Sequence, residues 1–344
     1  MSKQVILNFV GSLDSDDLFE RSLLYTRQVK QFENYNFIYI MCYPDETFSS
    51  PSDLNEDTLN NSEKFTIERI GAMIKTINPD LMLMQAFGFN TCTKYRQVFE
   101  NLGAPSPFMG PQTKFHIICS DKVQTRELLE SFGQSVAPGV TITRDKKDNR
   151  IHLPFNFPVV VKIPILEDSE GITLCSNKED MDVAVDKALD FGESVIIEQF
   201  IKGRELRAAV IEDKTGDLSL LGIVEYGVDP NGIRELGHKY TKNKNGKGVN
   251  VYTESRWFLD PNEEPKTVNE VKDVICKAFR AIGLQDWALF DLRMDEDGKI
   301  YILEINLFHS FSEVGQIARM GEHVGISNHK CFDMMVKKAM KRAN

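Results

Sequence analysis

Short apolar runs alternate with helix-like stretches over the first third of the chain. The predicted elements are strands at Val5–Val10, Phe37–Cys42 and Leu81–Gln85, and helices around Leu18–Gln31 and Glu63–Thr76. Strands that alternate with helices predict a parallel sheet whose strands are joined by crossover helices. The stretch 43–62 is rich in Pro, Ser, Asp and Asn and is expected to form a long surface loop.

The pattern changes beyond residue 110. A helix is expected over 121–132, followed by a strand at Gly139–Thr143. Four further apolar runs surround one helix near Lys178–Phe191 and predict a compact α+β unit. Antiparallel strands, a long helix over Pro265–Gly283, a hairpin and two terminal helices follow. We therefore expect three units, which are an α/β domain over 1–110, a central subdomain over 111–200 and a C-terminal subdomain over 201–344.

Composition limits the class of protein. Of the 344 residues, 42% are apolar, which is enough for full cores, and no apolar run approaches the roughly 18 residues of a membrane helix. The formal net charge is −10, which argues against nucleic acid as the main partner. The six cysteines are scattered without a CxxC pair, so free thiols in a reducing compartment are expected. These features together predict a soluble cytoplasmic protein.

The hairpin over 287–306 carries the first candidate chemistry. Two alternating apolar runs flank Asp297-Gly298, which is a strong signal for a two-residue turn. A turn at these residues places Asp291 directly opposite Glu304, with Asn306 on the same face. Two facing carboxylates repel each other, and a divalent cation such as Mg²⁺ resolves that repulsion. Spacing alone also allows the alternative, an edge hairpin with both acids in solvent.

The pattern D-x(12)-E-x-N on this hairpin resembles the magnesium-binding signature of the ATP-grasp superfamily, and its D-alanine–D-alanine ligase-like branch most closely. The resemblance implies a mixed α/β and α+β fold of three subdomains, with ATP held between the central and C-terminal ones. It implies that Asp291 and Glu304 bind metal, that Glu304 bridges two ions and that Asn306 holds the second. Mg²⁺ is the expected ion, with Mn²⁺ as a substitute.

The same resemblance implies a phosphate-binding set upstream. Lys122 opens a helix and would meet the α-phosphate, although such a residue is also an ordinary surface lysine beside an N-cap. Lys162 ends the apolar run VVVK and would satisfy its charge on phosphate oxygens; the alternative is a lysine that extends into solvent. The expected phosphate loop reads IPILEDSEG and departs from the Gly/Ser-rich text of the family, so that Ser169 and Gly171 are its only suitable members.

The segment IIEQFIKGREL resembles the adenine- and ribose-binding segment of that family. The resemblance implies that Glu198 accepts a hydrogen bond from the adenine amino group and that the backbones of Gln199 and Ile201 pair with the purine ring. Glu205 falls at the position that binds the ribose hydroxyls. Carboxylates suit both roles because they only accept hydrogen bonds. The alternative is a charged strand end whose acids lie in water, in particular for Glu205.

A Lys-Tyr pair before a glycine- and lysine-rich loop resembles the mobile loop of the D-alanine–D-alanine ligases. Lys239 would reach the γ-phosphate, and the loop 238–250 would act as a lid that excludes water. A solvated turn is the simpler alternative. The family's arginine two residues before the metal aspartate is replaced by Leu289, and Arg293, two residues after the aspartate, is the candidate to supply that charge.

Departures from the family are concentrated on its amino-acid sites. The glycine-rich loop after the metal asparagine reads LFHSFSE, in which His309, Ser310 and Ser312 are the candidate substrate contacts. Glu20 is the nearest trace of the N-terminal acidic motif that holds an amino group. Synthesis of D-alanyl-D-alanine for the cell wall is therefore not the expected activity, and the text LFDLRMD…LEINLFHSF is similar to a divergent branch that includes mycosporine-type amino-acid ligases.

The resemblance implies an ATP-dependent carboxylate–amine ligase that forms a C–N bond through an acyl-phosphate-type intermediate. Its substrates would be ATP, an amino acid and a carboxylate or vinylogous-acid acceptor, with no nucleic acid or membrane partner, and related ligases are commonly dimers. Two alternatives remain open at this point. One is an ATP-binding module of the same fold without ligase activity, and the other is a ligase that acts on a peptide or protein carboxylate.

Overall fold

The computed structural model describes residues 3–29, 32–103, 106–146, 152–165, 171–234, 241–242, 248–249 and 256–343. The strands are β1 Gln4–Gly11, β2 Tyr35–Cys42, β3 Phe48–Ser49, β4 Leu81–Met84, β5 Gly139–Thr143, β6 Val159–Lys162, β7 Ile172–Cys175, β8 Ser194–Gln199, β9 Arg204–Glu212, β10 Leu218–Tyr226, β11 Thr241–Lys242, β12 Gly248–Val249, β13 Arg256–Phe258, β14 Trp287–Met294 and β15 Ile300–Asn306. The helices are α1 Asp16–Arg27, α2 Glu56–Asn61, α3 Ile67–Ile77, α4 Arg96–Gly103, α5 Thr113–Cys119, α6 Lys122–Ser131, α7 Lys178–Phe191, α8 Pro265–Ile282, α9 Gln316–His323 and α10 Asn328–Ala343.

The N-terminal sheet has the strand order β3-β2-β1-β4, and β1 pairs in parallel with both β2 and β4. The parallel sheet predicted from the alternating pattern is confirmed. The prediction of a structureless loop over 43–62 is wrong, because this stretch contains β3 and α2. Phe48 explains the difference, since this phenylalanine in a polar stretch is fully buried in the core beside Phe99.

The central sheet has the order β5-β8-β6-β7, and α7 packs against it. The apolar side chains of β6 and β8 form a core of their own with the buried face of α7, including Val159, Val161, Met181 and Ile197. The neighbouring strands of this sheet are antiparallel throughout. In this register Lys162, the last residue of β6, pairs with Ile196, and Glu198 lies two residues further along β8 on the same face. These two side chains form one wall of the site described below.

The C-terminal sheet has the order β13-β10-β9-β14-β15 and is antiparallel. α8 packs on this sheet through a stripe with helical spacing, which consists of Val271, Ile275, Ala278, Phe279 and Ile282. Burial of a side chain of this size stabilises the fold by about 1.5–3 kcal/mol. α9 and α10 contact β10 and β9, so the sheet is covered by helices.

The N-terminal and C-terminal sheets share one core. Ile6 and Leu83 of the first sheet belong to the same cluster as Ala209 of the second and Phe332 of α10. A polar clamp reinforces the connection between them. The buried Asp286 carboxylate accepts a hydrogen bond of 2.6 Å from the Gly110 backbone N–H, and it is paired with Arg342, whose Nη2 also donates to the Phe108 carbonyl at 2.9 Å.

Within the described residues, the helices are all too short or too polar to cross a membrane.

Candidate functional site

A cavity opens between the central sheet and the C-terminal sheet. The space that it encloses, including the part open to solvent, is about 780 Å³. Nine of its lining residues were candidate site residues in the sequence: Lys122, Lys162, Glu198, Gln199, Ile201, Glu205, Asp291, Arg293 and Glu304. These nine come from distant segments of the chain, so the fold brings together most of the predicted ATP and metal set. Their individual roles stay predictions.

Lys162 and Glu198 form a buried ion pair at the wall made by the central sheet. They lie on the neighbouring antiparallel strands β6 and β8, and each residue is 8% exposed. Arg126 of α6 places its Nη1 3.4 Å from the second carboxylate oxygen of Glu198. Because a buried charge without a partner is costly, this trio is held in place. Lys162 does not extend into solvent, which was the alternative for this residue.

Lys122 is the first residue of α6 and lines the cavity. The N-cap is Asp121, whose carboxylate accepts from the backbone N–H groups of Val123 and Gln124 at 2.8 and 3.2 Å. The backbone N–H of Lys122 donates to the Pro164 carbonyl at 3.0 Å. This bond ties the start of the helix to the segment that follows β6, so backbone contacts fix the position of Lys122 at the cavity.

The predicted phosphate loop is described only at its end. Gly171 has a φ of +67°, which favours glycine, and its carbonyl accepts from the Ile163 N–H at 3.2 Å. Ile172, the next residue, lines the cavity. Ser169 lies outside the described residues, as does Lys239.

The segment after Glu198 passes along the cavity edge. The Gln199 N–H donates to the Pro138 carbonyl at 2.7 Å, so any pairing of Gln199 with a purine falls to its carbonyl. The Phe200 N–H donates to the Pro158 carbonyl at 3.0 Å. These two bonds fix the chain where it leaves β8 and place Ile201 in the lining.

Asp291 and Glu304 are cross-strand partners on β14 and β15, as predicted. The predicted turn, however, is wrong. The Asp295 N–H donates to the Lys299 carbonyl at 3.0 Å, so the hairpin loop has three residues. If the register set by this loop continued along both strands, Asp291 would lie opposite Leu303. Leu303 is instead an extra residue that shifts the register between the loop and the metal candidates.

Arg207 is the most important residue that the sequence did not reveal near the hairpin. It lies opposite Asp291 on β9, and its guanidinium makes a two-pronged contact with both carboxylate oxygens, one of them from Nη2 at 2.6 Å. The two side chains are 14% and 16% exposed. Its position two residues after Glu205 on the same strand face was the available signal, but only the pairing of β9 with β14 shows its partner.

The donor set around Glu304 suits a hard divalent cation. Both carboxylates line the cavity, and the Asn306 amide oxygen accepts from the Phe308 N–H at 3.0 Å, which fixes its direction. The described part of the chain contains no group of three acidic, histidine or cysteine side chains that could hold a metal ion by itself. A cation here would therefore depend on Glu304, Asn306 and oxygens of its ligand, since Asp291 is engaged by Arg207. That mixed coordination is usual for Mg²⁺.

Arg293 lines the cavity but is anchored on backbone carbonyls. It is 4% exposed and donates to the Gly232 carbonyl at 3.0 Å and to the Gly203 carbonyl at 3.4 Å. Its guanidinium also lies over the Phe200 ring, 4.7 Å from the centroid. Burial lowers the pKa of Arg293 below its ordinary value, yet an arginine stays charged at neutral pH. It adds a fixed positive charge to this wall.

Glu205 is paired and does not lie in open water. Its Oε1 is 3.2 Å from Nε of Arg234, a cavity residue that the sequence did not reveal. Arg234 lies over the Tyr226 ring at 3.9 Å from its centroid. Since Tyr226 is also the cross-strand partner of Glu205, the three side chains form one packed unit.

The candidate acceptor residues are not part of the cavity lining. His309 is 7% exposed and packs near the rings of Trp287 and Phe311. Burial, and next the charge of Arg207, lower the pKa of His309 to about 3. Ser310 donates to the Ser312 hydroxyl at 2.8 Å, and Ser312 is fully buried. The loop therefore satisfies much of its own polarity.

Glu20 is exposed on α1 and does not line the cavity either.

Comparison with known proteins gives a consistent result. The family model described as D-ala D-ala ligase C-terminus matches residues 128–337. The chain is 24% identical over 240 residues to D-alanine–D-alanine ligase A of Escherichia coli (strain K12), an alignment that covers 69% of this chain and 63% of that protein. It is also 24% identical over 246 residues to D-alanine–D-alanine ligase of Clostridium novyi (strain NT), which covers 69% and 68%. The match thus spans less than two thirds of the length of the first relative.

Solved structures are similar over nearly the whole chain. VanG D-Ala:D-Ser ligase from Enterococcus faecalis has a TM-score of 0.76 at 19% identity and covers 98% of this chain and 100% of its own. D-alanine–D-alanine ligase from Bacillus anthracis, complexed with ATP, has a TM-score of 0.71 at 17% identity and covers 99% and 98%. These similarities show the fold, which is the three-subdomain ATP-grasp fold that the sequence analysis expected.

Proposed function

The chain belongs to the D-alanine–D-alanine ligase family, and from this premise we propose that it is an ATP-dependent carboxylate–amine ligase that forms a C–N bond. Its substrates would be ATP, an amino acid and a small carboxylate or vinylogous-acid acceptor. The domain boundaries at 110 and 200 and a homodimeric assembly belong to the same proposal. A cytoplasmic location does too, and it is supported by the acidic composition and the six free cysteines.

One observation carries the proposal: residues that the resemblance assigns to ATP and metal line a single cavity, although they come from two different sheets. Lys162, Glu198 and Glu205 lie on the strands of two different sheets, yet all three face the same space. Asp291 and Glu304 face it from the hairpin. A protein that only needed a stable core would gain nothing from placing so many charged groups around one opening.

The reaction would proceed in two steps. The γ-phosphoryl group passes from ATP to a carboxylate oxygen of one substrate, which releases ADP. The amine of the other substrate then attacks the activated carbon, phosphate leaves and the amine loses a proton. A bound divalent cation would supply charge neutralisation on the phosphate oxygens.

The protein's own groups position and stabilise these charges. Lys122 and Lys162 would hold phosphate oxygens, and the fixed guanidinium of Arg293 would stabilise negative charge that develops during transfer. Glu198 is preorganised by Arg126 to accept from an exocyclic amino group. The predicted γ-phosphate contact of Lys239 and the lid over 238–250 complete the proposal, with exclusion of water from the activated carboxylate as their role. No side-chain nucleophile is needed for this chemistry.

The acceptor site is where this chain departs most from the family. Glu20, His309, Ser310 and Ser312 were the candidate substrate contacts, and they lie outside the lining of the cavity assigned to ATP. The departure of the loop LFHSFSE from the glycine-rich loop of the family favours an acceptor unlike a second D-alanine. The similarity to the divergent mycosporine-type ligases remains a lead to the chemical class, and a peptide or protein carboxylate remains an alternative acceptor.

The test is ADP release measured over a panel of amino acids paired with carboxylate and vinylogous-acid acceptors. We expect one or a few pairs to stimulate release above the rate with ATP alone, and mass spectrometry to identify the condensed product. Binding of a fluorescent ATP analogue is measured in parallel. Nucleotide binding without stimulation by any pair would contradict the ligase and favour the binding module.

A non-catalytic ATP-binding module is the second candidate. The self-satisfied loop at Ser310 and Ser312 favours it, because these hydroxyls bond to each other. The joint retention of Lys162, Glu304 and Asn306 argues against it, because binding alone does not require all three.

A further inference from the structure

We infer that this site takes up one divalent cation with its nucleotide, and that the Arg207 guanidinium occupies the place of the second. The inference rests on the proposed function, since it concerns how the same cavity holds ATP. It replaces the two ions, bridged by Glu304, that the family resemblance implied.

The first support is the geometry of the Arg207–Asp291 pair. Asp291 lies between β9 and β15, with Arg207 opposite it on one side and Glu304 opposite it on the other. The guanidinium contacts both oxygens of the carboxylate. A two-pronged contact of this kind is among the strongest and most directional of side-chain interactions, so Asp291 points toward Arg207.

The second support is that Arg207 is held in place. Its backbone is fixed in the central strand of the sheet, paired with β10 as well as with β14. Its guanidinium lies 5.9 Å from the centroid of the Tyr226 ring. A divalent cation that bound Asp291 would lie next to this guanidinium and be repelled by it, because both are positive and both are largely removed from solvent.

The third support is that Glu304 and Asn306 remain suited to one ion. No cation among the described residues forms an ion pair with Glu304 as Arg207 does with Asp291. The Asn306 amide oxygen accepts one backbone hydrogen bond and keeps a second lone pair. One carboxylate, one amide oxygen, ligand phosphates and water are sufficient for an octahedral ion.

The replacement of the family's arginine by Leu289 is consistent with this role of Arg207. The arginine that the family carries there is replaced by a residue that is 2% exposed and packs in the core shared by the two sheets. In this chain Arg207 supplies a positive charge from the neighbouring strand β9, directly across from Asp291. The family's arginine would instead lie on β14, two residues before the aspartate.

The test counts Mn²⁺ ions bound with the β,γ-imido analogue of ATP, by electron paramagnetic resonance titration of the full chain. We expect one Mn²⁺ per bound nucleotide, with the six-line spectrum of an isolated ion. Two Mn²⁺ per nucleotide, with the broadened spectrum of a coupled pair, would overturn the inference while leaving the proposed function intact. Absence of any nucleotide binding would overturn both.

Variants assign the effect to the guanidinium. Arg207→Gln keeps a long polar side chain without the charge, and it should raise the count from one Mn²⁺ to two. Arg207→Met is the second variant, with the same expectation, in case the first does not fold. A count that stays at one in the folded variants would contradict the role of Arg207. Arg280→Gln removes an arginine that is paired with Glu212 outside the cavity lining, and its count should stay at one.

Discussion

Asp291 lies directly opposite Glu304 because one extra residue, Leu303, bulges out of β15. The hairpin loop by itself sets a register in which Asp291 would face Leu303, and Glu304 would point to the other face of the sheet. The bulge thus aims a carboxylate into the cavity. Bulges are common next to active sites for this reason.

Glu304→Gln tests the acid that the bulge positions. The substitution keeps the shape of the side chain and removes the charge that would hold a cation. We expect substrate-stimulated ADP release to fall by on the order of 100-fold or more, with little change in the thermal unfolding midpoint. Glu296→Gln, at the exposed hairpin tip, is the matched control and should keep its activity. Equal activities in the two variants would remove Glu304 from the mechanism.

Lys162→Met tests the buried ion pair with Glu198. The substitution leaves the Glu198 carboxylate buried with only the longer contact to Arg126, so we expect the free energy of unfolding to fall by about 3 kcal/mol. Affinity for the ATP analogue should fall as well, because a phosphate contact is lost. Urea denaturation and analogue titration measure the two effects.

The control for this pair is Lys178→Met, in the exposed ion pair with Asp182, which should cost less than about 0.5 kcal/mol. Adding Glu198→Gln to Lys162→Met should restore part of the stability, since it removes the stranded charge. If the double variant is less stable than Lys162→Met, burial of an unpaired charge is not the cause.

The buried histidine His309 should make stability depend on pH. Burial lowers its pKa from 6.5 to about 3, so below pH 6.5 the unfolded chain binds a proton that the folded chain does not. The contribution to stability is complete above pH 6.5 and decreases as the pH falls toward 3. From about pH 7.5 to about pH 5 this single residue should lower the free energy of unfolding by about 2 kcal/mol.

His309→Phe removes the side chain that takes up this proton in the unfolded chain, and a phenylalanine ring suits the aromatic surroundings of Trp287 and Phe311. Urea denaturation measures the free energy of unfolding over the same pH range. Its decrease toward low pH should be smaller by about 2 kcal/mol in the variant than in the unmodified chain. His116, which is also buried with a lowered pKa, retains its share in both proteins. His152→Gln, at an exposed position, is the control and should follow the unmodified chain. An unchanged slope in His309→Phe would mean that His309 takes up a proton in the folded state.

The strongly periodic elements were predictable from the sequence, and the charged partners were not. The bounds of α7 and β5 agree with their predictions because local propensity and periodicity coincide there. The pairing of Asp291 with Glu304 was predicted correctly from a wrong turn, since neither the three-residue loop nor the bulge has a distinctive pattern. The partners Arg207 and Arg126 are single arginines without a motif. Only the strand register and the packing of α6 bring them to their carboxylates.

Arg342→Ala tests the clamp that joins the N-terminal sheet to the C-terminal sheet. The substitution leaves the fully buried Asp286 carboxylate with the Gly110 N–H and without its paired cation. Burial already raises the pKa of Asp286, and loss of the arginine should destabilise the chain by about 3–5 kcal/mol. Lys337→Ala, in an exposed ion pair with Asp333 on the same helix, is the control and should cost less than about 0.5 kcal/mol.

A second substitution separates the buried charge from the loss of packing. Asp286→Asn added to Arg342→Ala removes the unpaired charge and keeps a side chain that can accept from Gly110. We expect urea denaturation to show the double variant to be more stable than Arg342→Ala alone, because an amide is less costly to bury than a carboxylate. If both variants are equally unstable, the contribution of Arg342 comes from its packing and from its bond to the Phe108 carbonyl, and the ion pair with Asp286 adds little.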